Sequence, residues 1–590
     1  MQTIDYAIIA AYLAVLAVIG LVLARRAGQS AEHYFLGGRE LPWWTLGASG
    51  MASNLDVAGT MTIVALIYLY GLHGFFIELR GGVVLPIAVF LAFMGKWHRR
   101  SAVMTTAEWM LLRFGADRQG RAARMTAALT YLTITVAMTV FFFTAGGKFL
   151  AEFLPFTALQ CTLGMALVAF GYTLIGGLYG VVWTDVFQAG IIGGAAVYLS
   201  VIAAREVSPE LLAAWPGARF NEFLPRLSSP GLAPYSAFGW FLCVWAGKGV
   251  LEGLGGSGGS AYMAQRYYAA RSDAECMKIG LLWTILFAFR WPMVLGFAVL
   301  AMKIGIDGSS AGAAERVLPL VLQSDFFPPG IRGLMIAALL AAAMSTFDST
   351  INAGASYVVN DLYAPWRARA GERELVWVGY AASGLIVAVG LAIALLAGAS
   401  VLGVWVNIVM LLFPAFLVPF ALRWYWGRFN GAGFAAGIAA GFAAACAFYL
   451  IAPAGWNEAQ QFLAIAACSL AVSLLVTLLT APVPADTLRV FYRRVAPFGW
   501  WPRAWREPYR REHRRDLLRL AVALLWQVLT FLLPMGMVLG RWSAVGPMAL
   551  LWLALFVFLL REVRDAAGSA EPANAPPQAS PPTAAAKPSS

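Results

Sequence analysis

The sequence predicts an all-α integral membrane protein of about fifteen transmembrane helices, and three observations carry that reading. The chain of 590 residues is 60% hydrophobic and only 12% charged, with a mean hydropathy of +0.72, whereas soluble domains carry about 25% charged residues. Its apolar runs are each about 18–28 residues long, the length that crosses a hydrocarbon core of about 30 Å at about 1.5 Å per residue. The remaining charge lies between the runs with a consistent sidedness. Only helices satisfy their backbone polar groups within one segment, and the alternating pattern of a membrane barrel is absent.

The first run, 4–24, has no Lys or Arg before it and Arg25 and Arg26 directly after it. A cleaved signal peptide shows the reverse flanks, so this is an uncleaved helix with its N-terminus outside. Further spans follow at 43–72, 74–97, 125–151, 155–177, 180–204, 234–256, 278–303, 330–360, 376–398, 400–424, 429–452, 459–481, 517–540 and 544–561. This count places Arg39, then Arg99 to Arg124, then Arg266 and Arg271, then Arg367 to Arg373 in cytoplasmic loops, together with nine arginines of 482–516. The external loops are neutral or acidic, as at 304–329 with Asp307, Glu315 and Asp325 against Arg316. Only Arg541 breaks the positive-inside rule.

The net charge of +12 therefore belongs to loops facing anionic lipid, and nucleic acid is not a partner. The segment 483–516, with WWPRAWREPYRREHRR, reads as a basic cytoplasmic linker anchored at the membrane surface. Residues 566–590 are rich in Pro, Ala and Ser and form a disordered cytoplasmic tail. The protein is expected in the plasma (bacterial inner) membrane. Five scattered cysteines and four scattered histidines show neither disulfide nor metal-ligand spacing. Without a His/Asp or Ser/His constellation at depth, an enzyme is not indicated.

Three spans depart from plain Leu/Val/Ala texture. The second, WWTLGASGMASNLDVAGTMTIVALIYLYG, holds Asn54 and Asp56 near its middle. The seventh, WFLCVWAGKGVLEGLGGSGGSAYMAQR, is too rich in glycine for an unbroken helix. The ninth contains AAAMSTFDST, residues 341–350. Small residues and hydroxyls alone are explained by helix packing. Asp56 and Asp348 are not, because an aspartate at the bilayer centre costs about 2.5–3.5 kcal/mol. With Glu78, Arg80, Asp185, Lys248, Glu252 and Arg290 also at depth, the bundle encloses a polar cavity. Glu78 with Arg80, and Lys248 with Glu252, are candidate neutralising pairs. Ala342, Ser345, Thr346 and Ser349 fall within about 100° of one helix face, with Asp348 about 60° aside. Carbonyls and hydroxyls in that pattern suit a hard monovalent cation beside a discontinuous helix. Ser349 and Thr350 read as packing hydroxyls.

Together, YFLGGRELPWWTLGASGMASNLD, TLIGGLYGVVWTDVFQ (173–188), AYMAQRYYAARSDAE (261–275) and AAAMSTFDSTINAGASYVVNDLY (341–363) resemble, in order and spacing, the sodium:solute symporter family. The resemblance implies a five-plus-five inverted-repeat core at 30–425, in which the second and seventh spans each open one repeat as a broken helix. An extra helix at 1–29 precedes it; two further helices at 426–482, the linker, and two more at 517–565 follow. It implies a sodium site of the Ala52 and Leu55 carbonyls facing the Ala342 carbonyl and the Ser345 and Thr346 hydroxyls, with Asp185 on the sodium path. Substrate-binding or gate candidates are Asn54, Asp56, Glu78, Ser260, Tyr262, Arg290 and Asp348. Gly59 and Ser260 replace polar solute contacts of the sugar carriers, and their pattern gives Asp56 and Asp348 no role. The implied function is sodium-coupled import of a small polar organic solute by alternating access, with no cofactor beyond the co-transported ion and no obligate protein partner. Proton coupling through Asp56 or Asp348, and a transporter-like sensor, are the alternatives.

Overall fold

The computed structural model describes residues 1–27, 31–213, 225–228, 232, 234–256, 261–306, 310–367, 369–398, 400–451 and 455–568. Every extended element among them is helical; the only strand-type pairing is an isolated bridge between Trp426 and Trp500. Ten helices are long and apolar enough to cross a membrane, or thirteen if each bent pair is one span, against the fifteen expected. We label α1 (Thr3–Ala27), α2 (Trp43–Ala52), α3 (Val57–Tyr70), α4 (Val84–Val89, continued to Ser101), α5 (Arg118–Ala151) and α6 (Ala158–Glu206). There follow α7 (Phe238–Gly255), α8 (Ala261–Tyr268), α9 (Asp273–Phe287), α10 (Arg290–Lys303), α11 (Ile331–Tyr357) and α12 (Glu372–Ala397). The last are α13 (Val401–Val406), α14 (Pro414–Tyr425), α15 (Gly431–Ile451), α16 (Glu458–Leu479), α17 (Arg510–Val538) and α18 (Trp542–Gly568).

Two differences account for the lower count. The spans expected at 155–177 and 180–204 form one continuous backbone helix, α6, of 49 residues; its side chains at 168–170 and 172–177 lie outside the described ones. The span expected at 234–256 becomes α7, an 18-residue helix whose Lys248 and Glu252 dilute its hydropathy. Three spans are bent. Between α2 and α3 the chain turns by 54° at residues 53–56, where a break is expected. The third span, expected as one helix at 74–97, bends by 63° between His73–Arg80 and α4. Gly81 permits this, since a Cβ there would fall 2.4 Å from the Trp405 ring. The third bend, of 42°, lies at Phe413 before α14. α7 ends on Gly256 at φ +69°, and the glycine-rich 257–260, where the second break is expected, lies outside the described residues.

Helices α2, α6, α8 and α11 meet around the centre of the chain's largest buried cluster. α1 docks on this centre. Asp5 Oδ1 accepts from the Gly330 and Gly333 amides at 2.8 and 2.9 Å, and Gln188 donates to the Tyr12 hydroxyl at 2.9 Å. In α15, Gly433 and Gly437 lie against Thr477 and Ser473 of α16 with no room for a Cβ, the close approach that small residues allow membrane helices. The linker 483–516 packs in part against the helices. Its Phe491 and Trp501 are buried against the guanidinium of Arg113, 5.5 and 4.9 Å from the ring centroids. Trp500 and several arginines stay exposed.

Candidate functional site

The break at residues 53–56 is built by its own side chains. Asp56 caps α3 by accepting the Gly59 amide, and its carbonyl accepts the Thr60 hydroxyl at 2.6 Å. Asn54 closes α2 by donating to the Gly50 carbonyl at 3.0 Å, while its side-chain oxygen accepts the Tyr262 hydroxyl of α8 at 3.0 Å. Arg290, which opens α10, donates to the Asn54 carbonyl at 2.5 Å. Gly59 leaves space for this reach, because a Cβ there would lie 2.7 Å from Arg290 Nη2. A cavity of about 50 Å³ sits at this junction, lined by Asn54, Asp56, Gly59, Glu78, Tyr262, Arg290 and aromatic Trp405 and Phe413 among others. At about 10–15 Å³ per water it holds only a few small groups.

One turn away lies a second polar centre, wholly buried. Asp185 of α6 accepts Ser345 of α11 at 2.5 Å on one oxygen. On the other it accepts Ser49 of α2 at 2.5 Å and Ser53 at 3.3 Å. Ser53 and Ser349 are 2.7 Å apart. Arg266 of α8 donates from Nη2 to Ser349 at 2.6 Å, Ser49 at 2.9 Å and Ser53 at 3.1 Å, and lies 3.5 Å from Asp185. One guanidinium thus holds the end of α2 to α6, α8 and α11. A buried charge pair is tolerable only when hydrogen bonds satisfy its remaining atoms; the serines serve both Asp185 oxygens and Arg266 Nη2, Nη1 reaches the Tyr262 carbonyl and Gln265, and Nε has no partner among the described residues.

The structure brings Asn54, Asp56, Glu78, Tyr262 and Arg290 to one cavity. Ser345 and Asp185 are in direct contact. Thr346 donates to the Ala342 carbonyl at 3.1 Å, and the Ala52 carbonyl accepts the Leu55 amide at 3.2 Å. Asp348 is buried but lines no part of the cavity; it lies within electrostatic reach of Tyr12 in α1. Ser260 lies outside the described residues. Lys248 and Glu252 pair at 2.6 Å. Arg80 does not pair with Glu78 as expected: its Nη1 reaches Glu458 of α16 at 2.8 Å and Tyr235 at 3.0 Å, because it projects away from the cavity that Glu78 lines. Sequence reasoning missed Arg266, Ser49 and Ser53, and took Ser349 for packing. The signal was there: Ser49 and Ser53 on one helix, and Ser345 and Ser349 on another, are each spaced by four and so share a face.

A model of the sodium:solute symporter family matches residues 34–441. A sodium/glucose cotransporter of Vibrio parahaemolyticus is 27% identical over 482 residues, covering 74% of this chain and 83% of that protein. The human sodium-coupled monocarboxylate transporter 1 is 28% identical over 423 residues, covering 68% of this chain and 65% of that protein. The solved substrate-bound, outward-open structure of a Na+-coupled sialic acid symporter superposes with a TM-score of 0.65 at 20% identity, covering 82% of this chain and 99% of that one. That likeness is one of fold.

Proposed function

Because the chain belongs to the sodium:solute symporter family, and is a sodium-coupled multi-pass membrane transporter and not an enzyme, we propose that it imports a small polar organic solute together with sodium by alternating access. The observation that carries this reading is the sharing of one break by two polar centres. Ser53 faces Asp185, Arg266 and Ser349, while the next residue, Asn54, faces Tyr262 and Arg290 in the cavity. Anything that orders residues 53–56 for one centre orders them for the other, which is the physical content of coupling.

In this reading sodium is held by the carbonyls of Ala52, Leu55 and Ala342 and the hydroxyls of Ser345 and Thr346. Ser345 gives its proton to Asp185 and Thr346 gives its proton to Ala342, so the lone pairs of both hydroxyls are left to face a cation. Solute sits among Asn54, Asp56, Glu78, Tyr262 and Arg290. The Arg266 cluster is the latch on the opposite side of the break, and its hydrogen bonds must part before sodium leaves along Asp185. The two broken helices, α2/α3 and α7/α8, open the two halves of a five-plus-five core, as interrupted helices do in transporters of this kind. Loop charge sets the N-terminus outside and the C-terminus in the cytoplasm of the bacterial inner membrane. A unit charge crossing about 100 mV supplies about 2.3 kcal/mol and a tenfold sodium gradient about 1.4, which together support about 500-fold accumulation.

Uptake into proteoliposomes, screened over sugars, amino acids, carboxylates and amines, tests the function. At least one class should accumulate under an inward sodium gradient and not under a pH gradient alone. Accumulation driven equally by the pH gradient without sodium would contradict sodium coupling.

A further inference from the structure

We propose that the cavity at the break takes a small organic cation, a protonated amine of a few heavy atoms, whose charge sits between Glu78 and an aromatic wall; this rests on the reading of that cavity as the solute site.

The charged groups facing the cavity are two carboxylates, Asp56 and Glu78, against one guanidinium, Arg290; Tyr262 is the remaining titratable group. Their charges are not evenly matched. Asp56 is served by the α3 N-terminus through the Gly59 amide; Arg290 lies within electrostatic reach of both carboxylates, and its Nε has no hydrogen-bond partner among the described residues. Arg290 spends Nη1 on the Asn54 carbonyl. Glu78 is buried, and its Oε2 has no hydrogen-bond partner among the described residues. The indole N–H of Trp405 neighbours it without meeting hydrogen-bond geometry. The cations nearby are committed elsewhere: Arg80 to Glu458 and Lys248 to Glu252. The cavity lining therefore holds one carboxylate more than it holds guanidinium, and one carboxylate oxygen has no donor among the described residues.

A buried carboxylate left unpaired is strongly unfavourable. A neutral polyol would leave that charge uncompensated, and a carboxylate solute would add a third. A cation cancels it. The walls agree, because Trp405, Phe413 and Tyr262 line the same cavity and aromatic faces attract a desolvated ammonium. The glycine at 81 lets Trp405 pack this close. The volume of about 50 Å³ sets the size.

Three probes of equal heavy-atom number separate the possibilities: ethanolamine as the cation, 1-propanol as its neutral isostere, and acetate as the anion. Each is added at tens of millimolar to the purified full-length protein in detergent with sodium, and the thermal midpoint is read, since a ligand of the folded state raises it. Ethanolamine should raise the midpoint and the other two should not. Glu78→Gln should weaken the ethanolamine effect at least tenfold in apparent affinity, and Glu78→Asp, which keeps the charge, should retain part of it should the Gln variant fail to fold. An equal rise with 1-propanol or acetate, no rise with ethanolamine, or an ethanolamine rise unaltered in Glu78→Gln overturns the proposal. The wild-type rise produced by sodium alone reports separately on the sodium reading: its presence with any of those outcomes removes the cation class and leaves symport standing, and its absence removes the reading on which the proposal rests.

Discussion

Arg266 ties the end of α2 to two other helices through one guanidinium nitrogen. Its Nη2 touches three serines and lies 3.5 Å from Asp185, joining elements up to 217 residues apart in sequence. Removing it leaves Asp185 buried and unpaired, so Arg266→Ala should lower stability by about 3–5 kcal/mol. Adding Asp185→Asn should recover part of that, with a coupling of about 0.5–3 kcal/mol in a double-mutant cycle read from detergent unfolding. Arg266→Lys keeps the charge and loses the planar fork; it should leave the fold standing and slow turnover about tenfold or more, the equivalent of about 1.4 kcal/mol. Strictly additive single effects would remove the pair from the account. Asp185 stood out in the sequence because an acid is costly at membrane depth, and Ser345 and the break through their spacing and the family resemblance. Arg266 escaped because it follows an interrupted helix and reads, by the same charge rule that orients the chain, as one more loop arginine.

At the scale of elements, bends decide where the cavity lies. The break at 53–56 was legible, since Asn54 and Asp56 compete with their own backbone and Asp56 is a good cap. The bend after Arg80 was not, because Gly81 and Gly82 in an apolar run look like ordinary packing glycines. What requires glycine there is Trp405, from a helix more than three hundred residues away, and no local pattern records that contact. Gly81→Ala places a Cβ 2.4 Å from the indole. It should cost about 1–3 kcal/mol of overpacking, seen as a lower thermal midpoint, together with weaker solute binding. Gly82→Ala meets only the Glu78 carbonyl at 3.2 Å and should do clearly less. Equal effects at the two positions would contradict the role given to Trp405. The pairing of Glu78 with Arg80 failed for a related reason: at a bend, neighbours in sequence turn to different sides.

For the whole molecule, hydropathy and loop charge were enough to define a polytopic helical bundle, and a few ordered motifs were enough for its family. The span count was less legible, because α7 carries a buried ion pair and α6 runs on as one helix. The last two helices, without a role in the sequence, are packed onto the rest. Lys96 pairs with Glu512 and Asp516 at 2.6 and 2.7 Å, Gln527 donates to Thr284 at 2.6 Å, and Phe531 packs on Phe75 and Trp291. In the proposed cycle, sodium held between α2 and α11 governs the break that the proposed solute cavity shares. The most direct measurement compares wild type with Ser345→Ala/Thr346→Ala in proteoliposomes under an inward sodium gradient. Sodium-stimulated uptake should be lost while membrane insertion and the folded state persist; normal sodium dependence in the double variant would contradict the assignment.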